Sequence, residues 1–154
     1  MTTVVVTATL PAGGTDPLVG AGHEVIQLAD RVSATIAEAV RGADALVTQL
    51  TDRVDAAVLE AGHPRLRVVA NVAAGDDNID VARATQLGIA VCNTPGVLDE
   101  TTAELAFLLM LMARRRIADA ELALRAGEWH GWRIDAFLGH DLAGATAGIV
   151  GWGR

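Results

Sequence analysis

Four short apolar runs punctuate the first half of the chain, at Val4–Thr9, Glu24–Leu28, Ala45–Gln49 and Arg67–Val72, with a weaker fifth at Ile89–Cys92. Apolar residues in them are nearly continuous rather than alternating with polar ones. Strands covered on both faces read this way, because neither side of the sheet meets water. Between them lie segments of helical spacing, Val32–Arg41, Val54–Ala61 and Ile79–Leu87. Strand and helix in alternation predict an α/β fold with a parallel sheet and right-handed crossovers. Pro11–Gly22 is rich in Gly and Pro, so no full helix is predicted for the first crossover.

The ends of the helices carry their own signals. Asp77 is a candidate N-cap for the helix at Ile79, with Asp80 three residues on, and Gly88 suits the left-handed position just past its end. Thr101-Thr102-Ala103-Glu104 has the Thr-x-x-Glu form of a capping box. It predicts a long helix running to about Ala126 and stopped by Gly127. Leu105–Met112 within it is apolar on every side, and such a helix must be covered all round. A five-stranded domain covers one side only, so a second body is expected against the other. A linker follows, Gly127–His140, holding Trp129, Trp132 and Phe137. After Gly144 a new strand is predicted at Ala147–Val150, leading into Gly151-Trp152-Gly153-Arg154.

Composition narrows the function classes. Hydrophobic residues make up 51% of the 154 and charged residues 20%, which suits a packed core and excludes a disordered chain. A net charge of −7 argues against nucleic acid, whose phosphates need a basic face. Arg114, Arg115 and Arg116 form the only basic run, and it reads as a solvated helix end. Cys92 is the single cysteine, so an internal disulfide is impossible and a reduced, cytoplasmic setting is expected. Met1–Leu10 has no signal-peptide pattern, and Leu105–Ala113 is too short to span a bilayer, so no membrane partner is expected. His23, His63, His130 and His140 lack metal-ligand spacing and read as surface or loop residues.

Gly151-x-Gly153 directly after a strand is the opening of G-x-G-x-x-G. Its first Gly permits the tight turn and its second lets the backbone approach a pyrophosphate. Two glycines alone are weak, since any strand-end turn uses them. The wider sequence is specific. Asn71–Asp80 resembles the G-Y-D-N-I-D loop of D-2-hydroxyacid dehydrogenases. Asn93-Thr94-Pro95-Gly96-Val97 with Thr102-Ala103-Glu104 resembles that family's N-T-P-x-V … A-E segment. Gly127-Glu128-Trp129 resembles its G-x-W, and Asp141–Arg154 resembles its L-x-G-x-T-x-G-I-x-G-x-G-R. Order and spacing agree over residues 45–154, with the glyoxylate/hydroxypyruvate reductase branch closest in flavour.

The resemblance implies a flavodoxin-like α/β substrate-binding domain over 1–98, an inter-domain and dimerisation helix over 99–126, a linker over 127–140, and the first strand of a Rossmann domain over 141–154. It implies roles as well. Ala74 and Gly75 would present backbone amides to the substrate carboxylate, as a small-residue turn at a strand end can; the competing reading is a helix-capping turn. Asp76 departs from the family, which usually has an aromatic or aliphatic residue there. Leu50 would wall the substrate pocket or else pack in the core. Thr102 would meet a cofactor phosphate, or cap its helix only. Gly151, Gly153 and the backbone of Arg154 would bind the pyrophosphate of NAD or NADP. Trp132 would reach a neighbouring subunit's active site, or pack within its own.

The expected protein is thus part of an oxidoreductase moving a hydride between NAD(P)H and a small 2-oxo or 2-hydroxy acid, and a homodimer. The family's catalytic Arg, Glu and His come later in its chain, so no catalytic residue is assigned, and the 154 residues alone are expected to be inactive. A phosphoglycerate dehydrogenase-like enzyme is the alternative within the family. The alternative outside enzymes is a truncated, non-catalytic fragment that self-associates.

Overall fold

A computed structural model of the chain describes residues 1–29 and 32–151. It divides into two compact units, Met1–Val97 and Leu98–Arg154. The first unit holds β1 (Thr3–Val6), α1 (Asp16–Gly20), β2 (Glu24–Gln27), α2 (Ser33–Ala39), β3 (Ala45–Gln49), α3 (Ala56–Gly62), β4 (Val68–Val72), α4 (Val81–Gln86) and β5 (Ala90–Cys92). The strands form one parallel sheet in the order β2-β1-β3-β4-β5, the flavodoxin-like order.

One row of side chains across the sheet explains why these runs become strands. Val5 pairs with Leu46, and Leu46 with Val69, and all three are fully buried. Ile36, Val40, Val58 and Leu59 pack on them. Each such side chain contributes about 1.5–3 kcal/mol by leaving water. β1 is buried along its whole length, whereas β3 and β4 alternate fully and partly buried positions until Val72, the exposed last residue of β4. β2 and β5 are the edges and expose most of their residues, which is why the fifth apolar run is weak.

The first crossover has only the five-residue α1, in keeping with its Gly- and Pro-rich sequence. Gly88 is left-handed (φ 70°) and completes a Schellman motif on α4, with Ile89 N donating to Ala84 O and Gly88 N to Thr85 O. The N-cap of this helix is Asp80, whose carboxylate accepts from Arg83 N at 2.9 Å, and not Asp77. The reason lies in Val54. It accepts from Asp80 N and donates to Asn78 O, both at 2.9 Å, holding the backbone around Ile79 as a bridge, so the helix starts later.

In the second unit the predicted helix to Ala126 is two helices, α5 (Asp99–Arg114) and α6 (Ile117–Arg125). Arg116 between them is left-handed (φ 54°). His140 N takes the carbonyl of Arg114 at 2.8 Å, and Gly139 lies so close that a Cβ on it would stand 2.5 Å from that oxygen. The returning chain packs on the break and occupies the carbonyl that a continued helix would use. α5 also begins before the expected capping box: Leu98 is the N-cap, without a side-chain bond, so Thr101 lies inside the helix. Gly127 ends α6 as expected, with Glu128 N on Ala123 O and Gly127 N on Leu124 O. Residues 147–150 form no strand, because no described strand pairs with them. No described helix is long and apolar enough to cross a membrane.

Candidate functional site

In an open parallel sheet, a ligand crevice forms at the carboxyl ends of the strands where successive connections leave in opposite directions. Here that point lies between β1 and β3, since β1 connects outward to β2 and β3 connects the other way to β4. Apart from Thr3 at the start of β1, the buried polar residues described in the first unit gather at that end. Thr7, Thr48, Asp52 and Asn71 are all buried, so each needs partners to offset lost hydration. The Thr7 hydroxyl donates to Asp52, whose Oδ2 also accepts from Gln49 N at 2.8 Å. The Thr48 hydroxyl donates to Asn71 Oδ1 at 3.0 Å. Asn78 Nδ2 donates to the carbonyls of Gln49 (3.1 Å) and Asp52 (2.9 Å), tying the loop after β4 to the loop after β3.

The loop after β4 has an unusual division of its backbone groups. The carbonyls of Ala73, Ala74 and Gly75 all accept, from Thr94 N at 2.8 Å, Asn93 Nδ2 at 2.9 Å and Asn71 Nδ2 at 2.9 Å. The amides of Ala74, Gly75 and Asp76 donate to no acceptor among the described residues, and all three residues are exposed. Adjacent unpaired amides at a strand end attract an anion. Gly75 does not need glycine for the fold: a Cβ there would meet only Asp77 Oδ2 at an ordinary 3.6 Å.

Leu50 directly follows β3, at the same end of the sheet, with 67% of its surface exposed, so it does not serve the core. A hollow of about 450 Å³ lies between the loops after β3 and β4, lined by Asp52, Asp55, Asp77 and Asp80 among others. Its carboxylates make it unsuited to an anionic ligand, and two of them, Asp55 and Asp80, are occupied as helix caps. Among the described residues no cluster of His, Cys, Asp or Glu is arranged to hold a metal ion.

Thr102, Trp132 and Gly151 belong to the second unit. The amide of Thr102 donates to Leu98 O at 2.9 Å, so it is not free for a phosphate and the hydroxyl alone is left. Asp99 and Glu100 stand in the same first turn and would oppose a phosphate there. Trp132 exposes 79% of its surface. Gly151 is left-handed (φ 85°), the conformation expected of the first glycine of a dinucleotide turn. Gly153 and Arg154 lie outside the described residues. Sequence reasoning quoted Asn71, Asn78 and Asn93 within the family-like segments but gave them no role; Asn71 carried a further signal, since Asn is depleted in strands.

Residues 4–149 match the family described as D-isomer specific 2-hydroxyacid dehydrogenase, catalytic domain. A glyoxylate reductase from Korarchaeum cryptofilum is 53% identical over 120 residues, covering 77% of this chain and 36% of its own length. One from Thermococcus litoralis is 52% identical over 95 residues, covering 59% of this chain and 29% of its own length. The chain therefore spans 29% to 36% of the length of these two curated relatives. Among solved structures, the TT0316 protein from Thermus thermophilus superposes with a TM-score of 0.85 at 37% identity, over 91% of this chain and 45% of that one. A glyoxylate reductase from Paecilomyes thermophila gives a TM-score of 0.71 at 26% identity, again over 91% of this chain and 45% of the other.

Proposed function

The chain belongs to the D-isomer-specific 2-hydroxyacid dehydrogenase family, and on that premise we propose that it forms the substrate-binding part of an NAD(P)-dependent reductase acting on a small 2-oxo acid of the glyoxylate or hydroxypyruvate type. The observation that carries this reading is the loop after β4, where exposed amides of Ala74 and Gly75 stand without acceptors beside the crevice. A carboxylate docked there would receive charge-assisted hydrogen bonds from fixed donors, which places its oxo carbon without committing any side chain. Leu50 offers the apolar wall that such a small acid needs on its other side.

The bound dinucleotide supplies the hydride. This chain would meet it through the left-handed turn at Gly151, with Gly153 and the backbone of Arg154 following in sequence, and through the Thr102 hydroxyl. The domain assignment that goes with this reading is a substrate domain over 1–98, an inter-domain and dimerisation helix region over 99–126, a linker over 127–140 and the start of the dinucleotide domain over 141–154. In a homodimer the exposed Trp132 would reach the partner's active site.

Steady-state kinetics on the complete enzyme containing this chain tests the reading. Gly75→Val leaves the fold room for its Cβ, yet places a side chain where the acid meets the backbone. The KM for glyoxylate or hydroxypyruvate should rise about tenfold, equivalent to about 1.4 kcal/mol, while the KM for NAD(P)H stays put. Equal effects on both, or none on either, would remove the carboxylate from this loop.

A further inference from the structure

What fixes the free amides outward is written in the carbonyls on the other side of each peptide. A trans peptide is planar, so the C=O of one residue and the N–H of the next point in opposite directions. Holding the Ala74 carbonyl therefore turns the Gly75 amide away from the holder, and holding the Gly75 carbonyl does the same for Asp76. Two side chains do the holding: Asn93 Nδ2 on Ala74 O and Asn71 Nδ2 on Gly75 O, each at 2.9 Å. The Ala73 carbonyl is held by a backbone amide, that of Thr94, so the Ala74 amide needs no side chain to orient it.

Asn71 is itself locked. Its Nδ2 donates to Gly75 O and to Asn78 Oδ1 (2.9 Å), and its Oδ1 accepts from the Thr48 hydroxyl (3.0 Å) and from Asn78 Nδ2 (3.4 Å). Both N–H donors of the side chain and its oxygen are thus engaged; the 3.4 Å approach of Asn78 Nδ2 is a secondary contact, since the two hydrogens of that nitrogen serve the Gln49 and Asp52 carbonyls. Turning it over would set its oxygen against both the Gly75 carbonyl and Asn78 Oδ1, so its direction is determined. Its burial removes the water that would otherwise compete for the Gly75 carbonyl. Asn93 differs, since it is only half-buried and makes this one bond from the segment following β5.

We propose that Asn71 and Asn93 are positioning residues that hold the amides of Asp76 and Gly75 toward a bound carboxylate, touching the loop and not the ligand. The proposal rests on the reading of this loop as the carboxylate site, and it adds Asp76 N as a third donor beside Ala74 N and Gly75 N.

The test uses the 154-residue chain labelled with 15N, with oxamate as the probe. Asn93→Ala removes a single surface hydrogen bond, so the chain should keep its melting temperature and its β-sheet amide shifts. The order parameter of the Gly75 amide should fall from the rigid range of about 0.85 to below about 0.6, and oxamate should bind about tenfold more weakly. Asn71→Ala should loosen Asp76 in the same way, but it empties a buried site, so Asn93→Ala decides if that variant does not fold. A Gly75 amide as rigid in Asn93→Ala as in the wild type overturns the proposal. A wild-type chain whose Ala74, Gly75 and Asp76 resonances ignore oxamate sinks the carboxylate reading instead, and the order parameters then judge the positioning role alone.

Discussion

Asp76 is the exposed carboxylate next in sequence to the free amides of Ala74 and Gly75, and Asp77 Oδ2 stands close behind it, 3.6 Å from where a Cβ on Gly75 would lie. Any carboxylate arriving at those amides approaches it. Two unit charges about 4 Å apart repel by roughly 1 kcal/mol in water, and salt screens them over about 10 Å at 0.1 M. Asp76→Asn should therefore lower the KM for the 2-oxo acid by about two- to fivefold at low ionic strength, with the gain shrinking as salt is added. Kinetics of both enzymes at two salt concentrations checks this; a higher KM in the variant would mean that Asp76 recognises the substrate rather than repelling it. At this scale the sequence was partly legible. The family resemblance marked Ala74 and Gly75, and small residues at a strand end agreed with it. Asn71 and Asn93 stood in the same family-like segments without a role, because their value depends on which carbonyls β4 and β5 bring within reach, and that is a matter of register across the sheet.

At the scale of elements, local chemistry was readable where it is decided locally. Gly88 and Gly127 stop their helices because a left-handed residue closes a Schellman pair whatever lies beyond it. The break at Arg115–Arg116 was hidden, since arginine is a good helix former and nothing within the run asks for a stop. A contact from 26 residues downstream, His140 N on Arg114 O, accompanies it. A prediction follows from how tightly that segment packs. A Cβ at Gly139 would stand 2.5 Å from Arg114 O and 2.8 Å from Arg115 Cα, both backbone atoms. Gly139→Ala should cost about 1–3 kcal/mol, the usual range for forcing an extra carbon into a packed site. Gly148→Ala, where a Cβ meets nothing within 4 Å, should stay within about 0.5 kcal/mol as a surface change does. Urea titrations of the two variants followed by circular dichroism separate them, and equal stability would show that the turn at Gly139 yields freely. The capping-box misreading has a similar origin: Thr101 and Glu104 have the right spacing, but α5 gains another turn by starting at Asp99 with two acidic residues at its positive end.

For the molecule as a whole, the sheet unit completes its own core and the helical unit does not. Leu105, Phe107, Leu108, Leu109 and Met110 of α5 expose between 41% and 55% of their surfaces, and none of the residues in α5 or α6 is buried. Full burial of such a side chain is worth about 1.5–3 kcal/mol, so five of them half-covered leave several kcal/mol for an association to recover. A two-fold pairing of α5 with its copy covers both patches in one step, and it is the commonest symmetric arrangement. The chain is therefore expected to self-associate, with a mass above 16.0 kDa that falls on dilution. Sedimentation equilibrium over a hundredfold concentration range (about two decades, enough to resolve a micromolar dissociation constant) measures it. Leu108→Glu sets a charge into the proposed seam and lies outside the sheet unit's own sequence, so it should shift the distribution toward monomer and leave the unfolding of the sheet unit unchanged. If the wild-type chain sediments as a 16.0 kDa monomer at every concentration, α5 finds its cover within its own chain. If Leu108→Glu associates as strongly as the wild type, the contact runs through another surface, and the exposed Trp129, Trp132 and Leu138 segment is the next to alter.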